Sequence, residues 1–132
     1  MAIICVDAVK ENLENVTEFV TGQLGKKADG KFRFEVELIC EEVFINICNY
    51  AYGENVGKAE IEVITLSGSI VIKFIDSGKE FNPLKKADPN INAPLEERNI
   101  GGLGIFMTKK LSDKLSYERL NGKNIFTITK NF

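Results

Sequence analysis

The chain has 132 residues, which is enough for one domain with its own hydrophobic core. Its 17 basic and 19 acidic residues give a formal net charge of −2, so the charge balance does not indicate a nucleic-acid-binding surface. Histidine is absent, which excludes a catalytic triad containing histidine, a zinc site with histidine ligands and phosphorylation on a histidine of this chain. Any acid–base chemistry must therefore depend mainly on carboxylates.

The sequence does not predict membrane insertion or export. No apolar run approaches the length that spans a bilayer, and the apolar run at residues 1–6 is too short for a signal peptide. The three cysteines, Cys5, Cys40 and Cys48, lack the spacing of metal ligands. Because Cys40 and Cys48 fall in an apolar helical segment, we expect buried free thiols in a reducing cytoplasm.

The apolar pattern predicts helices that alternate with antiparallel strand pairs along a single domain, residues 1–132. Residues 2–6 read as a strand, residues 9–24 as a helix that stops at Gly25, and residues 31–52 as a second helix. Residues 59–66 and 69–75 predict a hairpin, and so do residues 114–120 and 123–129, which Asn121-Gly122 joins. Between the hairpins lie a long aperiodic loop, residues 84–99, and a helix that begins after the glycines near residue 101. The predicted class is α+β, with helices on one face of a sheet.

Polar residues lie on an otherwise apolar face of the second helix. At about 100° per residue, Glu42, Asn46 and Asn49 share one narrow stripe, whereas the solvent side is expected near Glu37 and Glu41. Unpaired polar groups in apolar surroundings are costly, so these side chains either bond one another or cap loops, or they meet a ligand or a metal. Apolar residues at helical spacing predict the core face of this helix: Val36, Ile39, Val43, Ile47 and Tyr50.

Two further segments have the composition of ligand-binding loops. The glycines from Gly101 to Gly104 precede a helix, where backbone N–H groups can approach a phosphate, although the run lacks the Gly-Lys-Ser/Thr ending of a P-loop. Asp76 ends a strand, where its carboxylate can accept a hydrogen bond from an exocyclic amine, and Gly78 leaves room for a flat ring. Each segment also has a plain structural explanation, as a tight loop and as an Asx-type turn.

Taken in this order, the three segments resemble the ATP-binding domain of the GHKL superfamily, which includes gyrase, Hsp90, histidine kinases and MutL. The resemblance covers nearly the whole chain and is greatest to the stand-alone bacterial serine kinases and anti-sigma factors of the RsbW and SpoIIAB type. It is carried by Glu-x-x-x-Asn at Glu42 and Asn46, by Asp-x-Gly-x-x-Phe from Asp76 to Phe81, and by Gly-x-Gly from Gly102 to Gly104.

The resemblance implies a two-layer α/β sandwich of the Bergerat type, with a mixed, mostly antiparallel sheet, and it implies ATP and Mg²⁺ as ligands. Asn46 would ligate Mg²⁺, Glu42 would act as general base toward a serine or threonine hydroxyl, and Asp76 would bond the adenine amine. Residues 84–99 would form the ATP lid, and Arg98 could reach the γ-phosphate. The remaining nucleotide contacts are assigned to Asn49, Tyr50, Gly78, Phe81, Gly102, Leu103, Gly104, Ile105 and Asn124.

The sequence departs from the family pattern at three positions. Tyr50 stands where many relatives have histidine, and Glu80 stands where the wider superfamily often has a second glycine. Asn124 falls near a position often held by a threonine that faces the adenine site. The polar contacts of Tyr50 and Asn124 therefore cannot be copied from relatives.

The resemblance implies a cytoplasmic protein serine/threonine kinase that also acts as an anti-sigma factor. Its substrate would be an anti-anti-sigma protein of the STAS type, a sigma factor would be the competing partner, and a homodimer is compatible with the family. One alternative is an ATP-binding partner-switching regulator without significant kinase activity, and another is an α+β interaction domain that binds no nucleotide. The absent histidine and the lack of room for a dimerisation helix pair argue against a sensor histidine kinase.

Overall fold

The computed structural model describes residues 1–26, 28–85 and 102–132. The predicted lid therefore lies outside the described residues from residue 86 onward, and so does Arg98. The first half of the chain forms β1 (Ala2–Asp7), α1 (Leu13–Gly22), α2 (Gly30–Tyr50), β2 (Lys58–Thr65) and β3 (Ser69–Asp76), with a 3₁₀ turn at Lys10–Asn12. A second 3₁₀ turn (Pro83–Lys85), α3 (Gly102–Leu111), β4 (Lys114–Leu120) and β5 (Lys123–Asn131) complete the described elements.

The five strands form one sheet in the order β1-β2-β3-β5-β4, and each neighbouring pair is antiparallel. Buried residues alternate along the central strands, as in the run Ile70, Ile72 and Phe74 of β3, so one face of the sheet meets the helices. The predicted α+β sandwich with helices on one face is confirmed. Within the described strands the sheet is antiparallel throughout, where the resemblance implied a mixed sheet.

The hairpin between β4 and β5 follows directly from its turn residues. Asn121 and Gly122 both have positive φ values, of 52° and 78°, which are the left-handed conformations that a two-residue type I′ turn requires. This turn fixes the register that pairs Tyr117 with Phe126 and Arg119 with Asn124. The register brings side chains of β4 next to the site described below.

Helix α2 begins at Asp29, whose side chain caps it by accepting a hydrogen bond from Phe32 N at 2.8 Å. The predicted core face is confirmed for Val36, Ile39, Val43 and Ile47, and Glu37 and Glu41 are exposed as expected. Tyr50 was wrongly assigned to this core, because its side chain is 39% exposed. The predicted burial of Cys40 is confirmed, whereas Cys48 is only partly buried. Phe44, which was not assigned to the core face, is buried as well.

The cysteines are free, as predicted. Burial, with a smaller contribution from the Glu37 carboxylate, raises the pKa of Cys40 to about 12, and burial raises that of Cys48 to about 11. Both groups are therefore protonated, unreactive thiols at neutral pH. Cys5 is exposed on β1.

None of the helices in the described part of the chain is long and apolar enough to cross a bilayer.

Candidate functional site

A cavity lies between the C-terminal half of α2, the C-terminal end of β3, the N-terminal end of β5 and the start of α3. It encloses about 440 Å³ of space free of protein atoms, part of which is open to solvent. Its wall is mostly apolar, with a few polar side chains, as in ligand sites generally. The lining residues are Val43, Asn46, Ile47, Tyr50, Ala51, Phe74, Asp76, Lys79, Phe81, Pro83, Ile105, Tyr117, Asn124 and Phe126.

Asp76 and Asn124 form the polar centre of one part of the wall. They are paired neighbours on β3 and β5, and their residues are only 7% and 6% exposed. Asn124 Nδ2 donates to Asp76 Oδ1 at 2.9 Å and to the Lys79 carbonyl at 2.8 Å, and Gly78 N donates to the same Asp76 oxygen at 3.0 Å. The buried carboxylate is therefore held in place by donors before a ligand arrives.

The side-chain oxygen of Asn124 is engaged as fully as its nitrogen. Tyr117 Oη donates to Asn124 Oδ1 at 2.5 Å, and Phe81 N and Arg119 Nη1 each donate to it at 3.2 Å. Arg119 Nη1 also donates to the Gly78 carbonyl at 2.8 Å. Burial, with a smaller contribution from the Glu80 carboxylate, raises the pKa of Tyr117, so its hydroxyl remains protonated and can donate. We call Asp76, Asn124, Tyr117 and Arg119 the Asp76 cluster.

The loop after Asp76 is pressed against the end of α2. A Cβ atom on Gly78 would lie 2.2 Å from the carbonyl oxygen of Ala51, and Lys79 N donates to that oxygen at 2.8 Å. Tyr52 accepts a hydrogen bond from Ser77 N at 2.8 Å. Gly78 is therefore required by the close approach of two backbone segments, and it is not among the residues that line the cavity.

Asn46 presents a polar atom of a different kind. Its Oδ1 is buried and has no hydrogen-bond partner among the described residues, which is costly for an amide oxygen. The described residues contain no cluster of three or more acidic, cysteine or histidine side chains that could enclose a metal. A single amide oxygen suits Mg²⁺, which keeps several waters and takes few protein ligands when it is bound with phosphates. The site therefore fits the expected ion through Asn46.

Glu42 lies one helical turn before Asn46, so both side chains belong to the same face of α2. Glu42 is partly buried, and desolvation is the larger cause that raises its pKa; the neighbouring Glu41 carboxylate is the smaller. A raised pKa makes the carboxylate a stronger base. Glu42 does not line the cavity itself, and we call Glu42 and Asn46 the Asn46 pair.

The structure brings six of the predicted site residues to the cavity wall: Asn46, Tyr50, Asp76, Phe81, Ile105 and Asn124. The rings of Tyr50 and Phe81 stack with centroids 6.4 Å apart. Asn49, which was predicted to share the buried stripe, is exposed and does not line the cavity, because it belongs to the last turn of α2. Gly102, Leu103 and Gly104 begin α3, directly before the lining residue Ile105.

Tyr117 and Arg119 were missed by the sequence reasoning. The signal that could have indicated them is their alternation with exposed residues on β4, which places both on the inner face of the sheet. A tyrosine and an arginine on an inner face need partners, and Asn124 is opposite Arg119 in the register.

The cavity thus combines an apolar wall, the buried carboxylate of Asp76 and, among the described residues, the unpaired amide oxygen of Asn46. The chain belongs to the family of the histidine kinase-like ATPase domain, which matches residues 6–130. It is similar to the serine/threonine-protein kinase BtrW of Bordetella bronchiseptica, with 24% identity over 100 residues that span 75% of this chain and 70% of that protein. The histidine kinase AdeS of Acinetobacter baumannii shares the fold, with a TM-score of 0.53 at 16% identity over 99% of this chain and 68% of that one. Membership of this family implies that the domain binds ATP.

Proposed function

We propose that the chain is an ATP-dependent protein serine/threonine kinase that also acts as an anti-sigma-factor-type regulator. One observation carries the proposal: Asp76 and Asn46 line the same cavity, and Glu42 lies one helical turn from Asn46. Phosphoryl transfer from ATP to a hydroxyl requires a group that recognises the nucleobase, a ligand for the metal and a general base. Asp76, Asn46 and Glu42 can supply these three functions.

The proposed nucleotide pose follows from the wall of the cavity. Asp76 accepts a hydrogen bond from the adenine amine, and the apolar side chains around it cover the faces of the ring. The backbone amides from Gly102 to Ile105, at the N-terminus of α3, are the donors we assign to the phosphates. Tyr50 and Phe81 border the same space, whereas Arg98, the further contact expected for the γ-phosphate, lies outside the described residues.

Asn46 would hold Mg²⁺ through its buried Oδ1, and the ion would offset the charge of the phosphate oxygens. Glu42 accepts the proton of an incoming serine or threonine hydroxyl. The hydroxyl oxygen then bonds to the γ-phosphorus while the bond to the β-phosphate oxygen breaks, so that ADP leaves. The raised pKa of Glu42 strengthens it for this role.

We propose a STAS-type anti-anti-sigma protein as the substrate and a sigma factor as the competing partner, with a homodimer as the working assembly. The sequence resemblance supports these partners, whereas the similarity to a protein named as a serine/threonine kinase supports the kinase activity alone. The site has no histidine to accept a phosphoryl group, and a carboxylate base suits a hydroxyl acceptor.

A second function is an ATP-binding regulator without significant kinase activity. The observation that favours it is that Glu42 is absent from the wall of the cavity, although Asn46 and Asp76 are present there. Such a protein would bind ATP and change partners without phosphoryl transfer.

A transfer assay separates the two functions. The chain is incubated with Mg²⁺ and γ-labelled ATP, and STAS proteins from the same genome serve as acceptors. We expect the wild type to label a serine or threonine, and Glu42→Gln to lose at least about 100-fold in rate with unchanged ATP affinity. Glu37→Gln, an exposed position on the same helix, should keep the wild-type rate. Tight ATP binding without labelling of any STAS protein would favour the regulator, and an unchanged rate in Glu42→Gln would remove Glu42 from the role of base.

A further inference from the structure

The amide of Asn124 can take only one orientation in the Asp76 cluster. Its Oδ1 faces three donors, from Tyr117, Phe81 and Arg119, and its Nδ2 faces two acceptors, on Asp76 and Lys79. A 180° rotation of the amide would set the oxygen against the two acceptors and the NH₂ group against the three donors. Four of the five hydrogen bonds would be lost, because only the Tyr117 hydroxyl can rotate to accept instead of donate. The backbone N–H of Phe81 and the guanidinium of Arg119 therefore determine which way the NH₂ group points.

That orientation determines what Asp76 presents to a ligand. In the observed arrangement the NH₂ group of Asn124 and the backbone N–H of Gly78 both donate to Asp76 Oδ1. The carboxylate is thus fixed at Oδ1, and its second oxygen, Oδ2, is the acceptor we assign to the nucleobase. A base with an amino group gains a hydrogen bond there, whereas a base with a carbonyl group places acceptor against acceptor.

We propose that Arg119 and Tyr117 are positioning residues that set the preference of this site for adenine over guanine. They act through the amide of Asn124 on the carboxylate of Asp76, and Arg119 does so without lining the cavity. The inference rests on the proposed function, because it takes Asp76 as the contact of the nucleobase.

The two residues control different parts of the same contact. Arg119 Nη1 bridges Asn124 Oδ1 and the Gly78 carbonyl, at 3.2 and 2.8 Å, so it ties the amide to the loop that supplies the second donor of Asp76. Tyr117 adds the shortest hydrogen bond to the amide oxygen, at 2.5 Å, and its ring forms part of the cavity wall.

The test compares dissociation constants for Mg-ATP and Mg-GTP, measured by titration calorimetry on the full chain. The quantity of interest is the ratio of the GTP constant to the ATP constant. We expect this ratio to fall about tenfold in Arg119→Met and about threefold in Tyr117→Phe, because ATP binding weakens and GTP binding does not. Arg119→Lys, which keeps one donor, should restore part of the ratio. Lys123→Met, which removes an exposed charge from the same hairpin, should leave it unchanged.

The ratio distinguishes a positioning role from a merely structural one. If the two residues only stabilised the fold, their variants would melt at lower temperature and weaken both nucleotides by the same factor, and this result would overturn the inference. Tyr117→Phe keeps the ring and loses one hydroxyl, so it provides the test even if Arg119→Met does not fold. If the wild type prefers ATP and the variants have the same ratio of dissociation constants as the wild type, this inference alone is overturned. A wild type that binds neither nucleotide overturns the proposed function as well.

Discussion

The Asp76 cluster and the Asn46 pair belong to one site, but they differ in how far their hydrogen bonds are completed before a ligand arrives. In the Asp76 cluster, Asn124 alone takes part in five hydrogen bonds, and Asp76 Oδ1 accepts two. In the Asn46 pair, the amide oxygen of Asn46 is buried without a partner among the described residues, and Glu42 has a raised pKa because it is partly buried.

This difference separates preorganisation for recognition from preparation for chemistry. A recognition group discriminates between bases only if its orientation is fixed, so its neighbours must bond it in advance. A metal ligand and a general base must instead keep an unused lone pair. Leaving these groups incompletely solvated lowers the stability of the unliganded fold.

Replacing Asp76 should have the largest effect on binding. Asp76→Asn removes the charged acceptor and sets an NH₂ group or a neutral oxygen against the adenine amine. We expect the dissociation constant for Mg-ATP to rise at least about 30-fold, or about 2 kcal/mol, in titration calorimetry. The matched control is Asp7→Asn, at the edge of the sheet, where the carboxylate pairs with Lys58 at the surface, and it should bind ATP normally. Equal affinity in Asp76→Asn and the wild type would contradict the adenine assignment.

Without a ligand, replacing Asn124 should lower the free energy of unfolding much more than replacing Asn46, because Asn124 makes more hydrogen bonds. Asn124→Ala loses all five bonds and leaves buried groups unpaired, so we expect a loss of about 2–3 kcal/mol in urea unfolding. Asn46→Ala removes an oxygen that has no partner in the part of the chain that the structure describes, and it adds a better helix former, so its stability should stay within about 0.5 kcal/mol of the wild type or rise. Similar losses in both variants would show that the contrast between the two groups has no energetic basis.

The sequence predicted the position of the Asn46 pair but not the hydrogen bonds of the Asp76 cluster. Glu42 and Asn46 are close in the chain on one helix, so helical periodicity alone placed them on the same face. The bonds of Asn124 could not be foreseen, because they depend on the register of β5 against both β3 and β4, which brings together side chains up to 48 residues apart. The close contact of Gly78 with Ala51 is likewise a packing result, since the sequence suggested only a glycine in a turn.

The local signals were reliable for the elements and weaker at helix ends. The Asn121-Gly122 turn and the alternation of β2 and β3 gave the hairpins correctly, because both depend on neighbouring residues. Tyr50 and Asn49 were predicted to be buried by extending the helical periodicity to the last turn of α2. Both are exposed there, although Tyr50 lines the cavity and the next residue, Ala51, is buried.

The smallest expected effect concerns Glu42 and has a definite pH dependence. Because the folded state raises the pKa of Glu42 above its value in the unfolded chain, the charged carboxylate opposes folding at neutral pH. Glu42→Gln should therefore be slightly more stable than the wild type at pH 7, by a few tenths of a kcal/mol given its partial exposure. As the pH falls through the raised pKa and then below the ordinary value of a glutamate, both chains become neutral at this position and the difference should vanish. Thermal unfolding of the two chains between pH 7 and pH 4 measures this difference, with Glu37→Gln as the exposed control on the same helix. A difference that grows on acidification would mean that the charged form of Glu42 is stabilised by the fold, which would remove the physical basis for its strength as a base.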